Sequence, residues 1–288
     1  MADCLVQKKN LGLSKCNKLP ALIRGMITTS NNFVMPKEDL EDATAWQDAL
    51  LAEGDARIYL WPPFVGFENA SEEAIYEDTP LSMLKVRDGK YAHRFFISEN
   101  LCLHKAMYSH NGKGRVFYID TEGQIIGTET TTGDMMGFTA ALINTEKLLL
   151  SDGTVSTKTP VFVVLKNNKE LDQYGTMVSA GAFVDTLQSI VDVMLTLVGT
   201  ATATTIIVDV KVSCDGTPLI GLVLADFRLL DVDGAAQTIA TVLENPNLPG
   251  NYTLTGLTFE TGTLKLAPAA DLTIKAYEVP TPLAITIP

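Results

Sequence analysis

The sequence predicts a mainly β chain. An α+β first domain with flanking helices covers residues 1–199, and a small antiparallel β-sandwich covers 200–288. Three observations carry this reading. Short apolar runs bounded by Gly, Pro, Asn and Asp turns recur along the chain. Only two or three segments show helical spacing. The composition also changes after the VGTATATT stretch at 198–205, with only four basic residues left in 196–288. The 288 residues, 46% of them hydrophobic, provide apolar material for about two ordinary domains.

Taken in order, residues 1–24 carry five basic and one acidic side chain and lack the continuous apolar stretch of a secretory signal. A short helix is predicted over Pro36 to Leu51, acidic early, apolar at Leu40, Ala43, Leu50 and Leu51, and stopped by Gly54. Arg57 to Trp61 alternates as a strand before Pro62 and Pro63 break it. Tyr91–Phe96, Arg115–Ile119, Gly123–Ile126 and Thr159–Leu165 are further strands, the last closed by a polar turn at Lys166–Lys169. Over Ala182 to Leu195 the residues Phe183, Leu187, Ile190, Val191 and Met194 recur at three- and four-residue steps, which predicts a helix. Its β-branched residues would also fit a strand.

Beyond 200, apolar runs at 206–212, 219–224, 227–230, 240–243, 251–254, 263–266 and 272–277 give about seven strands. Between them lie Asp215-Gly216, Asp233-Gly234, Asn245-Pro246, Pro249-Gly250 and Thr261-Gly262. That spacing predicts an immunoglobulin-like sandwich.

Charge and motifs exclude more than they assign. A formal charge of -12 repels phosphates, so a chain-wide nucleic-acid-binding surface is not expected. The charge is uneven: 37–78 holds twelve acidic and two basic residues, 85–115 seven basic and two acidic. Such blocks suit internal pairing or complementary faces on neighbouring subunits, with plain solvated surface as the alternative. No run of 18 uncharged apolar residues predicts a membrane span. Dinucleotide, phosphate-loop, zinc-protease and nucleophile-elbow motifs are missing, and Gly112-Lys113-Gly114 reads as a hairpin.

Cys102 and His104, two apart on a strand, would share a face, and a turn could bring His110 back, with His93 loosely joined. No fourth ligand is evident, so no metal, cofactor or catalytic residue is assigned. Cys4, Cys16, Cys102 and Cys214 form no C-x-x-C and read as reduced thiols. Glu72, Glu73, Glu77 and Asp78 read as a solvated acidic loop ended by Pro80, and Asp120 to Gly123 as a turn. The aromatics of the first half, among them Tyr59, Trp61, Phe95, Tyr108 and Phe117, interleave with Arg94, Lys105 and Arg115. Stacking single-stranded nucleic acid is one reading, but the acidic balance and strand periodicity favour core and subunit contacts. A β-rich acidic chain without an evident active site suggests a protein that works by assembling, its stretches 37–78 and 85–115 acting as long flexible loops that embrace the next copy.

The segment from Asp88 through Gly127, with YIDTEGQIIG at 118–127 and GDMMGF at 133–138, resembles the tail tube proteins of tailed bacteriophages. The similarity spans about residues 56–175. It implies a tail-tube-like antiparallel β-sandwich or barrel, copies joined in stacked hexameric rings, and a lumen through which double-stranded DNA passes without specific binding. It also implies a place in the virion tail, assembly in the host bacterium's cytoplasm, and contacts with sheath, baseplate or connector proteins. Tube proteins often lack a second domain, so residues 200–288 would decorate the outer surface. Another virion component, or a non-assembling ligand-binding protein or enzyme, remains the alternative.

Overall fold

The computed structural model describes residues 19–79, 82–179, 181–272 and 276–288. The architecture is mainly β, with curled, half-barrel sheets flanked by short helices. The chain divides into two compact units, the first ending at Leu187 and the second spanning Gln188–Pro288.

In the first unit the strands are β1 (Ile23–Thr29), β2 (Ile58–Leu60), β3 (Gly66–Asn69), β4 (Ile75–Thr79), β5 (Ser82–Arg87) and β6 (Ala92–Ile97). They continue with β7 (Gly112–Asp120), β8 (Gln124–Glu129), β9 (Met135–Met136), β10 (Phe138–Thr145), β11 (Thr159–Leu165) and β12 (Gly175–Ser179). Ten of them form one sheet along the path β12-β8-β7-β10-β11-β6-β3, with β1 on β7, β2 on β1 and β9 on β8. β7 is the hinge of the curl. Along one edge it pairs with β1, and along the other first with β10 and then with β8.

The centre of this sheet is dry on both faces. On β7, Val116 and Tyr118 enter a core with Phe95, Phe138 and Val161, whereas Phe117 and Ile119 enter a second core with Trp46, Leu50 and Ile58. Met26 and Ile27 of β1, and Ile126 and Ile125 of β8, divide in the same way, as alternation on a strand requires. The second core is closed by helix α1 (Ala43–Leu51), whose Trp46 meets Phe117 edge-on at 5.5 Å. The Asp42 carboxylate accepts from Thr44 N–H at 2.8 Å and starts this helix. Gly54, at φ +62, follows it, so the predicted helix is present in its second half.

Two more helices replace expected strand and turn. α2 (Leu101–Tyr108) is capped by the Asn100 side chain, which accepts from Leu103 N–H, and it buries Met107. Cys102 and His104 therefore do not share a strand face. α3 (Asn168–Asp172) lies where a polar turn was expected. The stretches 37–78 and 85–115, expected as long flexible loops, carry α1, β2 to β4 and β5 to α2. The helix expected over 182–195 is a 3-10 turn at Gly181–Thr186 followed by strand β13 (Val191–Leu197). Val193 and Leu195 point into a core at a spacing of two, and the β-branched side chains prevail.

The second unit adds β14 (Thr205–Val212), β15 (Phe227–Asp231), β16 (Ala236–Gln237), β17 (Thr241–Glu244), β18 (Asn251–Thr255), β19 (Gly262–Leu266), β20 (Tyr277–Glu278) and β21 (Leu283–Ile285). They form two sheets, β17-β18-β14-β13-β20 and β16-β15-β19-β21. All pairs are antiparallel except β13 with β20. Both sheets contribute to one core, with Val208, Val210, Tyr252 and Leu254 from the first and Phe227, Leu229 and Leu264 from the second. The run 219–224, expected as a strand, crosses as irregular chain whose Leu219 and Leu222 plug that core. The run 272–277 lies partly outside the described residues, with only its end in β20.

Candidate functional site

The feature with the clearest unmet physical need is a hairpin. β3 and β6 pair inside the large sheet from Gly66↔Phe96 to Asn69↔His93. The two chains then stay together beyond the sheet, through Ala70 N–H to Ala92 O at 2.9 Å and a bridge at Glu72↔Lys90. They end as a separate two-stranded ribbon, β4 with β5, paired from Ile75↔Arg87 to Thr79↔Ser82. The acidic stretch expected to be a loop is thus one strand of a projecting arm. A two-stranded ribbon alone is marginal in water. This one also exposes Ile75, Tyr76, Met83, Leu84 and Val86, at 48 to 69% of their free surface.

The arm's root is firmly held. Gly89 lies so close to the opposite strand that a Cβ would meet Glu72 O at 2.5 Å, so only glycine fits without displacing backbone. From α3, Asn168 Nδ2 donates to Gly89 O at 2.5 Å and Asp172 accepts from Tyr91 OH at 2.5 Å, an interaction that also raises the Tyr91 pKa. Glu170 of the same helix accepts from Thr139 N–H and Oγ1 on β10, which fixes α3 to the sheet. Along the arm, Lys85 is paired with Asp88, and Arg87 Nη2 lies 3.0 Å from Glu72. The basic residues of β5 are thus engaged within the arm, while β4 presents Glu77 and Asp78 to solvent.

The histidines go to three separate environments. His93, on β6 at the arm's root, has Nδ1 2.9 Å from Tyr118 OH and packs among Phe67, Tyr91 and Phe95. Burial pushes its pKa down to about 4 and that of Tyr118 far up. His104 Nδ1 lies 2.8 Å from Thr159 Oγ1, and the His110 ring lies 4.5 Å from that of Tyr59, tilted by 60°. Cys102 and Cys214, expected as reduced thiols, are both disulfide-bonded, which removes Cys102 as a thiolate ligand. Cys4 and Cys16 lie outside the described residues. Among the described residues no three His, Cys, Asp or Glu side chains are grouped to hold a metal, and no helix is long and apolar enough to cross a membrane.

A shallow groove of about 600 Å³ lies over the other end of β6, β10 and β11, lined by Phe96, Tyr108, Leu149, Pro160, Arg94 and Lys147. Arg94 is compensated there. Its Nη1 donates to Glu68 at 3.2 Å, which raises its pKa, and its Nε faces Glu146 Oε2 at 3.1 Å without hydrogen-bond geometry. Its guanidinium sits 5.4 Å above the Phe162 ring, and Lys158 Nζ 4.3 Å above that of Phe96. The sequence places Arg94 in an aromatic and basic patch and Phe96 at the end of a strand, and does not join them into a groove. The sequence signal for the arm is slight: residues 75–79 and 82–87 are two short strand-length runs flanking one break.

No family model matches the chain, and no curated protein matches it.

Proposed function

We propose that this chain is a virion structural protein whose copies form stacked hexameric rings, the tail tube of a tailed bacteriophage, with no reaction of its own. The observation that carries the proposal is the arm. It is a rooted, ordered hairpin whose apolar side chains have no cover within the described part of their own unit. Exposed apolar surface of this kind marks a contact with another molecule, and a hairpin held rigidly at its root is suited to reach a neighbouring copy. The curled sheet supplies strands for a wall shared among copies, and the resemblance of residues 88–138 to tube proteins points the same way.

In this reading the acidic balance keeps DNA moving. A like-charged lining does not gather phosphates through counterion release. The second unit, an immunoglobulin-like sandwich in this reading, has its own core and decorates the outside. Sheath, baseplate or connector proteins are the further partners.

Negative-stain microscopy of the concentrated protein tests the proposal. Rings or tubes of constant bore are expected, and a chain ending at Leu187 should form them too. A monomer at every concentration and salt would overturn the assembly reading. Assemblies without a constant bore would replace the tube with another virion component.

A further inference from the structure

The arm and the groove lie at opposite ends of the same strands. β6 starts at Ala92, where the arm leaves the sheet, and runs away from it to Ile97. Register fixes its neighbours: Val164 of β11 lies beside Ala92 and Thr159 beside Ile97, while Asn144 of β10 lies beside Phe162 and Thr145 beside Val161. Phe96, Pro160 and the Asn144–Glu146 segment therefore sit at the end away from the arm. From Ala70 to Thr79 the arm has ten residues, which span about 33 Å when extended.

The two ends match in chemistry. On the arm, Leu84 lies opposite Glu77, so one face of the ribbon presents an apolar and an acidic side chain together, while Met83 and Asp78 share the other face. In the groove, Phe96, Tyr108, Leu149 and Pro160 give an apolar floor, while Lys147 and Lys158 bring positive charge and Glu146 is engaged by Arg94. We infer that the arm of one copy docks in this groove of the next, Leu84 against the apolar floor and Glu77, on the same face of the ribbon, toward Lys147 and Lys158. The contact is heterologous: each copy offers an arm at one end and receives one at the other, so it repeats head to tail without using up either surface. The inference rests on the assembly reading above and adds to it the receiving surface and the direction of growth.

A charge exchange tests it, read as the lowest protein concentration at which assemblies sediment. Lys147→Glu alone, and Glu77→Lys on the arm, should each raise that concentration about tenfold. Combining the two should bring it back to within about threefold of the unaltered protein. In a second measurement, Leu84→Cys and Leu149→Cys in one chain should give a ladder of cross-linked multimers on mild oxidation that neither single variant gives. If the unaltered chain assembles but Lys147→Glu changes nothing, or the exchange fails to rescue and no ladder forms, the groove is not the receiver, although the assembly reading stands. If the unaltered chain never assembles, both fall.

Discussion

Two antiparallel strand pairs in this chain obey the same local rules and end in opposite circumstances. In β14 and β18, Val208, Val210, Tyr252 and Leu254 turn to one side and are wholly buried, while Asp209, Lys211 and Thr253 turn to the other. In β4 and β5, apolar and charged residues are likewise mixed, yet both faces are wet. The second unit places a second sheet over β14 and β18; nothing described in the first unit covers the arm. Alternation specifies that a face wants burial, whereas only topology says whether the chain itself supplies the cover. The apolar faces of β14 and β18 are buried within their own unit, whereas the arm's apolar surface stays uncovered among the described residues.

The sharpest way to probe the difference is to remove a residue from the satisfied pair. Tyr252 is wholly buried, packs 5.5 Å from Phe227, accepts from Leu222 N–H at 3.1 Å and donates to Leu219 O at 2.9 Å. Tyr252→Ala leaves a cavity and two orphaned backbone groups, and should cost about 3–5 kcal/mol in urea unfolding of the second unit. A loss below about 1 kcal/mol would mean that this core is not what holds the two sheets together.

Acid should separate the units next. His93 has a folded pKa of about 4 against an ordinary value of 6.5. Below pH 6.5 the unfolded chain takes up a proton that the folded one refuses, so stability falls as pH drops, by about 3 kcal/mol on reaching pH 4, and levels off below. All three histidines belong to the first unit. In the second, Asp209 is held below the usual carboxylate range by the Asn251 amide and then by Lys211, and Asp215 by Thr217 N–H. Their contribution is present above about pH 4 and lost only beneath it. Both tryptophans, Trp46 and Trp61, lie in the first unit, so their fluorescence reports it alone. Its urea midpoint should decline from pH 6.5 to 4, and His93→Gln should flatten that slope.

The same contrast explains what could be read from the chain. Thr159–Leu165 was legible as a strand because its apolar run ends in polar punctuation, and 251–254 because Tyr252 and Leu254 alternate with threonines. β13 looks helical in sequence because its apolar residues, added to Phe183 and Leu187, mimic a three- and four-residue period, although a break falls between them. α2 carries its own signals, Asn100 as a cap and Leu103 with Met107 four residues on, but they are short, and the two-residue spacing of Cys102 and His104 fits a strand as well. The core strands β1 and β7 show no wet face because a core lies on each side. The groove joins Phe96, Tyr108 and Pro160 from separate parts of the chain, which no local pattern can announce. The arm is hard to read because a strand with both faces wet carries surface charges and looks like a loop.

The smallest effect on folding should therefore come with a large effect on association. Leu84 and Val86 are 53% and 62% exposed, and the chain gives up little by losing them. Leu84→Ser with Val86→Ser should change the first unit's unfolding free energy by no more than about 0.5 kcal/mol, because the side chains make few contacts to lose. If those residues are instead buried in a neighbour, their removal deprives every repeated contact of apolar area worth about 25 cal/mol per Å². Sedimentation should then show the assembling fraction collapse while the urea midpoint stays in place. Stability lost in proportion to association would instead mean that the arm's apolar residues serve their own unit, and the contrast with β14 and β18 would disappear.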